Sequence, residues 1–134
     1  MEPEKIIRSI GMTSKKIVQY VIMRRDLIKT KKSQSFSTGA YIAQACHAST
    51  AALHIFASSE NTHIFLNDIE DMTVCVLGVE DKQELESIER SLSANGIPNH
   101  LWIEKPEIIP TALATAPVEK HEVGHLLSHL KLLR

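Results

Sequence analysis

The apolar run Ile17-Val18-Gln19-Tyr20-Val21-Ile22-Met23 constrains the architecture more than any other stretch. It is nearly unbroken and rich in β-branched residues, so it does not alternate between a wet face and a dry one. A strand of that kind is buried on both sides and needs helices above and below its sheet. The rest of the chain supplies them. Apolar spacing predicts helices from Thr38 to Ala57, from a Thr62 cap to Asp68–Glu70, from Lys82 to Ala94 and from Val118 to Leu130. The third has the clearest signals: Asp81 as cap, a Leu85/Ile88/Leu92 stripe, and a stop at Asn95-Gly96. Further strands are read at Thr73–Leu77 and His100–Ile103, with a weak fourth at Thr111–Thr115, while 26–37 reads as an exposed polar loop. This alternation predicts a single α/β domain over 16–134 after a loose extension at 1–15. Its sheet is mixed or mostly parallel, has about four strands and is sandwiched by helices.

Composition narrows the function classes. A chain of 134 residues, 43% apolar and 23% charged, has the profile of one soluble globular domain. Aromatics are scarce, which argues against an extended stacking surface for single-stranded RNA. No apolar run reaches the ~20 residues that span a bilayer, so no membrane partner is expected. Two cysteines, and Glu2 and Glu4 among the first residues, give the cytosol as the expected compartment. The net charge of −1 conceals a split: residues 1–32 sum to +6 and the remainder to −7. Such a split marks a phosphate-binding end or a basic tail beside a solvated loop. The cations concerned nearest the strand end are Arg24, Arg25, Lys29, Lys31 and Lys32.

The candidate site lies on the helix that begins Thr38-Gly39-Ala40-Tyr41. At 3.6 residues per turn, Tyr41, Ala45, Ala48, Ala52 and Ile55 share a face that reads as core. Ala40, Gln44, His47, Ala51 and His54 share another, which places an amide and an imidazole one turn apart among side chains too small to shield them. A structural, hydrogen-bonded histidine is the plain alternative for His47. Cys46 cannot pair with His47, because consecutive helical side chains diverge by ~100°, and both cysteines read as small core residues. Trp102 reads as a core residue on a strand. His121-Glu122-Val123-Gly124-His125 matches the H-E-x-x-H pattern of zinc proteases, with His129 one turn further on. A third ligand that could close the coordination is missing, and Gly124 loosens the helix where a rigid site is needed. No metal and no other cofactor is expected.

Arg24-Arg25-Asp26-Leu27, followed by Gly39 and Ala43-Gln44-Ala45-Cys46-His47-Ala48, resembles the signature of the type II peptidyl-tRNA hydrolases. Leu101-Trp102-Ile103-Glu104-Lys105-Pro106-Glu107, Glu122-Val123-Gly124 and the ending His129-Leu130-Lys131-Leu132-Leu133 resemble a eukaryotic offshoot, the peptidyl-tRNA hydrolase domain-containing proteins. The resemblance runs from about Lys16 to the end. It implies a small mixed sheet sandwiched by helices, and hydrolysis of the ester between a nascent peptide and the 3′ ribose of tRNA. It also implies Gln44, His47, Asp26 and Thr111 as catalytic residues and Arg24, Arg25, Lys29, Lys31 and Lys32 as tRNA contacts. A homodimer is a further expectation. Where the family carries a lysine after the glycine this chain has Ala40, an alanine shared by the offshoot, and where it carries an aspartate this chain has Lys105. Two readings follow: a hydrolase with weak or absent turnover, or a member that binds tRNA or a protein without catalysis.

Overall fold

The computed structural model describes residues 16–29, the side chain of residue 29 excepted, and 35–134; residues 1–15, Lys31 and Lys32 lie outside the described residues. The apolar run forms β1, Ile17–Arg24. Thereafter come α1 (Asp26–Lys29), α2 (Thr38–Ile55), α3 (Glu60–Asn67), a 3-10 turn, β2 (Val74–Val79) and α4 (Lys82–Ala94). The chain ends through β3 (Asn99–Glu104), β4 (Ile109–Thr115), β5 (Val118–Glu119), α5 (Lys120–Leu127) and β6 (Lys131–Leu132). The sheet order is β3-β4-β1-β2-β6, with β5 also pairing β1, so β1 lies inside the sheet as its composition requires. It runs parallel to β2 (Tyr20↔Cys75, Ile22↔Leu77) and antiparallel to β4 (Val21↔Ala114, Met23↔Ala112). The result is a single α/β domain with a mixed sheet flanked by helices. None of the described helices is long and apolar enough to cross a membrane.

Alternation along β1 divides the core. Val18, Tyr20 and Ile22 face one layer, where Leu85, Ile88 and Leu92 of α4 meet Val123 and Leu127 of α5. Val21 and Met23 face the other, against Tyr41, Ala48 and Ala52 of α2 and Ala112 and Ala114 of β4. Alanines on both sides of that contact let α2 settle directly onto the sheet. Gln19, the polar interruption in the run, is fully buried. Its amide donates to Thr115 O at 3.1 Å and Ser49 O at 3.2 Å and accepts from Ser49 Oγ at 2.7 Å, which ties β1 to α2 and β4. A buried amide left unpaired would be destabilising by ~1–3 kcal/mol.

α4 is built as its sequence reads. Asp81 accepts Glu84 N–H at 2.9 Å, Glu84 accepts Glu80 N–H at 2.8 Å, and Gly96 at φ +71° lets Ile97 N–H reach Leu92 O at 2.9 Å. Elsewhere long-range pairing overrides local reading. Residues 26–29 wind into one helical turn because Leu27 is drawn into the α2 layer. Thr62 is a buried residue within α3, whose N-cap is Ser59. The expected 118–130 helix gives up its first two residues to the sheet, as β5 on β1, and stops at Leu127, short of the added strand β6 on β2. These two-residue strands add to the four longer ones. β4, the weak strand of the sequence, is buried almost throughout because β1 and β3 flank it.

Candidate functional site

Packing of α2 through its alanine face turns Gln44 toward the sheet, where it is 1% exposed. Its Oε1 accepts the Thr111 hydroxyl at 2.8 Å, and its Nε2 donates to Glu104 Oε2 at 2.8 Å and to Ala40 O at 3.2 Å. Glu104 ends β3, and its Oε1 accepts the Trp102 indole N–H at 3.3 Å. Three elements are thus joined by one polar chain: Thr111 of β4, Gln44 of α2, Glu104 of β3. The Gln44 amide is the main influence holding the Glu104 carboxyl below the usual carboxylate range. Partial desolvation opposes this, and the Trp102 N–H, His47 and the Lys105 backbone reinforce it.

His47 lies one turn beyond Gln44 on the same helix and is exposed. Its imidazole stacks on the Trp102 indole, with centroids 4.6 Å apart and planes 19° from parallel. Trp102 is therefore both a partner of the core and the wall on which His47 rests. Ala40 sits exposed in the first turn of α2, its N–H capped by Ser37 Oγ at 3.2 Å. A Cβ at Gly39 would meet open space, so that glycine makes no close approach to the described residues.

Arg24 and Asp26 form a second, adjoining cluster. Arg24 grips Asp26 through two parallel bonds of 2.9 and 2.8 Å and donates to Pro110 O, one residue before Thr111, at 2.9 Å. Tyr41 Oη donates to Arg24 O at 2.7 Å, and burial pushes its phenol up to about 12. The structure therefore brings Gln44 and Thr111 into contact and sets His47 beside them, whereas Asp26 engages Arg24 rather than Gln44 or His47. Arg25 is turned away, over Gly78 of β2, donating to Leu132 O at 3.1 Å and facing Glu80 at 3.7 Å. Lys31, Lys32 and the side chain of residue 29 fall outside the described residues.

Glu104 and Trp102 are the members that reading by motif overlooks. Strand periodicity holds the signal, since residues two apart on β3 share a face; the Gln44 contact spans 60 positions and has no local signature. Cys46 is exposed and not a core residue, because it falls on the solvent side of α2; Cys75 is partly buried, which raises its thiol pKa. His121 and His125 both lie in α5, but the row does not extend to His129, because α5 ends at Leu127. The described residues close enough to share a metal are instead Glu119, His121 and Glu122, whose ligand atoms lie within 4.8 Å of one another.

The family model described as Peptidyl-tRNA hydrolase PTH2 matches residues 17–133. The chain is 36% identical over 124 residues to the mouse protein named "Putative peptidyl-tRNA hydrolase PTRHD1", covering 92% of this chain and 87% of the relative. The human protein of the same name matches with the same identity and coverage.

Proposed function

This chain belongs to the PTH2 family of peptidyl-tRNA hydrolases, and from that premise we propose that it cleaves, slowly, the ester between a peptide and the 3′ ribose of tRNA in the cytosol. Ester hydrolysis needs a water held for attack, an acceptor for its proton and donors for the developing oxyanion. The observation that carries the reading is the chain Thr111–Gln44–Glu104, which fixes a buried amide and a hydroxyl one helical turn from an exposed imidazole. In this reading His47 takes the proton of the attacking water. Gln44 and Thr111, buried and bonded to each other, back the site from within the fold, and Asp26, locked by Arg24, borders it.

Slow turnover follows from Ala40 and Lys105, which stand where the family carries a lysine and an aspartate. Loss of one group acting in proton transfer typically lowers a rate ~10²–10⁴-fold. Saturation of Gln44 by protein partners alone favours the second reading, a member that binds the tRNA end without turnover. Single-turnover hydrolysis of diacetyl-lysyl-tRNA beside an authentic type II enzyme separates the two. The expected rate is at least ~100-fold below that enzyme, raised by Ala40→Lys and abolished by His47→Ala or Asp26→Asn. Parity with the authentic enzyme would show that Ala40 and Lys105 are not losses; bound tRNA with its ester intact would establish the second reading.

A further inference from the structure

Among the described residues, His47 and Trp102 form the one stacked ring pair, and its placement is unusual for a core contact. Trp102 is half-buried, and its indole is fixed by the bond to Glu104. The His47 imidazole lies on it yet remains exposed. Residues four positions before and after His47 on α2, which would normally cover such a ring, are Ala43 and Ala51. The result is a two-ring stack whose imidazole is exposed, one helical turn from Gln44, the partner of Thr111.

We infer that the outer face of the His47 imidazole, backed by Trp102, is a stacking platform for the terminal purine base of an RNA 3′ end. This rests on the peptidyl-tRNA reading and adds to it where the last nucleotide is held. Imidazole and indole rings are standard partners for unstacked bases. A platform fixed in advance loses little freedom on binding. A base seated there brings its own ribose toward the Thr111–Gln44 chain, where the ester must lie. The neighbouring alanines give the base access without a rearrangement of α2.

Trp102 is the sole tryptophan of the chain, so its fluorescence reports on this stack alone. The full chain is titrated at low salt with the trinucleotide CCA, with CCC, and with N-acetyl-phenylalanine amide as a mimic of a peptide side chain. Saturable quenching by CCA is expected, about tenfold tighter than by CCC, as is usual for one stacked base. His47→Ala should weaken CCA about tenfold. His47→Phe, which keeps a ring but cannot carry a proton, should restore CCA binding while leaving the ester uncleaved. No saturable CCA response, equal affinity in His47→Ala, or quenching by the phenylalanine amide instead of CCA would overturn the platform. Peptidyl-tRNA turnover persisting beside a silent CCA titration would sink this inference and leave the hydrolase reading standing. A CCA response without turnover would support the platform and count against hydrolysis.

Discussion

At Gln44 a side chain with two donors and one good acceptor is almost completely removed from water, and every one of those valences is filled by this chain. Replacing it by alanine strands the Thr111 hydroxyl and removes the principal partner of Glu104. Gln44→Ala is therefore expected to destabilise the fold by about 1–3 kcal/mol, read from urea unfolding, and to abolish any ester cleavage. Glu104 gives a pH signature. Its folded-state pKa is depressed, so its contribution to stability is present above the ordinary carboxylate value and is lost as pH falls through the lower, folded value. Between neutral pH and pH ~3 the drop in unfolding midpoint should be smaller in Glu104→Gln than in the parent; an equal drop would show that the carboxylate is not held by its neighbours. A helical face and a resemblance pick out Gln44, His47 and Thr111 in the sequence, but that face reads Gln44 as unshielded, whereas packing of α2 on the sheet buries it. Glu104 is not picked out, because what makes it matter is an amide 60 positions away.

The elements differ in how much of their cause is local. α4 carries both its caps and its stripe within a few residues, so its sequence and its structure agree to the residue. β5 and β6 are two residues each and exist only because β1 and β2 offer them partners. No periodicity can announce a strand that short. β6 depends on one further device. The Arg25 guanidinium lies across Gly78 to reach the carbonyls of Lys131 and Leu132, and a Cβ at Gly78 would stand 2.7 Å from its nitrogens. Gly78→Ala must push the tip of a flexible side chain aside and leave the backbone alone, so the global cost should stay near about 1 kcal/mol. The local effect should be larger. Leu133 N–H, bonded to Val76 O at 3.0 Å, is expected to exchange with deuterium faster in Gly78→Ala while amides of β1 keep their protection. Unchanged exchange at Leu133 would mean that Arg25 does not hold this edge.

On the scale of the whole molecule, the net charge of −1 cannot draw a polyanion toward the protein, and the charge split must do so locally. The family resemblance implies five cations near the strand end for this task. The folded chain commits two of them elsewhere: Arg24 to Asp26 and Pro110, Arg25 to Glu80 and the carbonyls of β6. In the proposed tRNA complex, phosphate contact is therefore assigned to Lys29, the last residue of α1, and to Lys31 and Lys32 just after it in sequence. Each phosphate neutralised releases counterions and adds ~0.7–0.9 to the slope of log affinity against log salt. Reversing the charge of all three lysines is expected to weaken tRNA binding and to flatten that slope by about 2–3. Arg25→Ala, in contrast, should leave the slope unchanged while loosening β6. Filter binding of deacylated tRNA across a salt series distinguishes these outcomes. A slope insensitive to the lysines but reduced by Arg25→Ala would move the phosphate track to the β6 edge of the sheet, and absence of binding by the parent at low salt would remove tRNA as the partner.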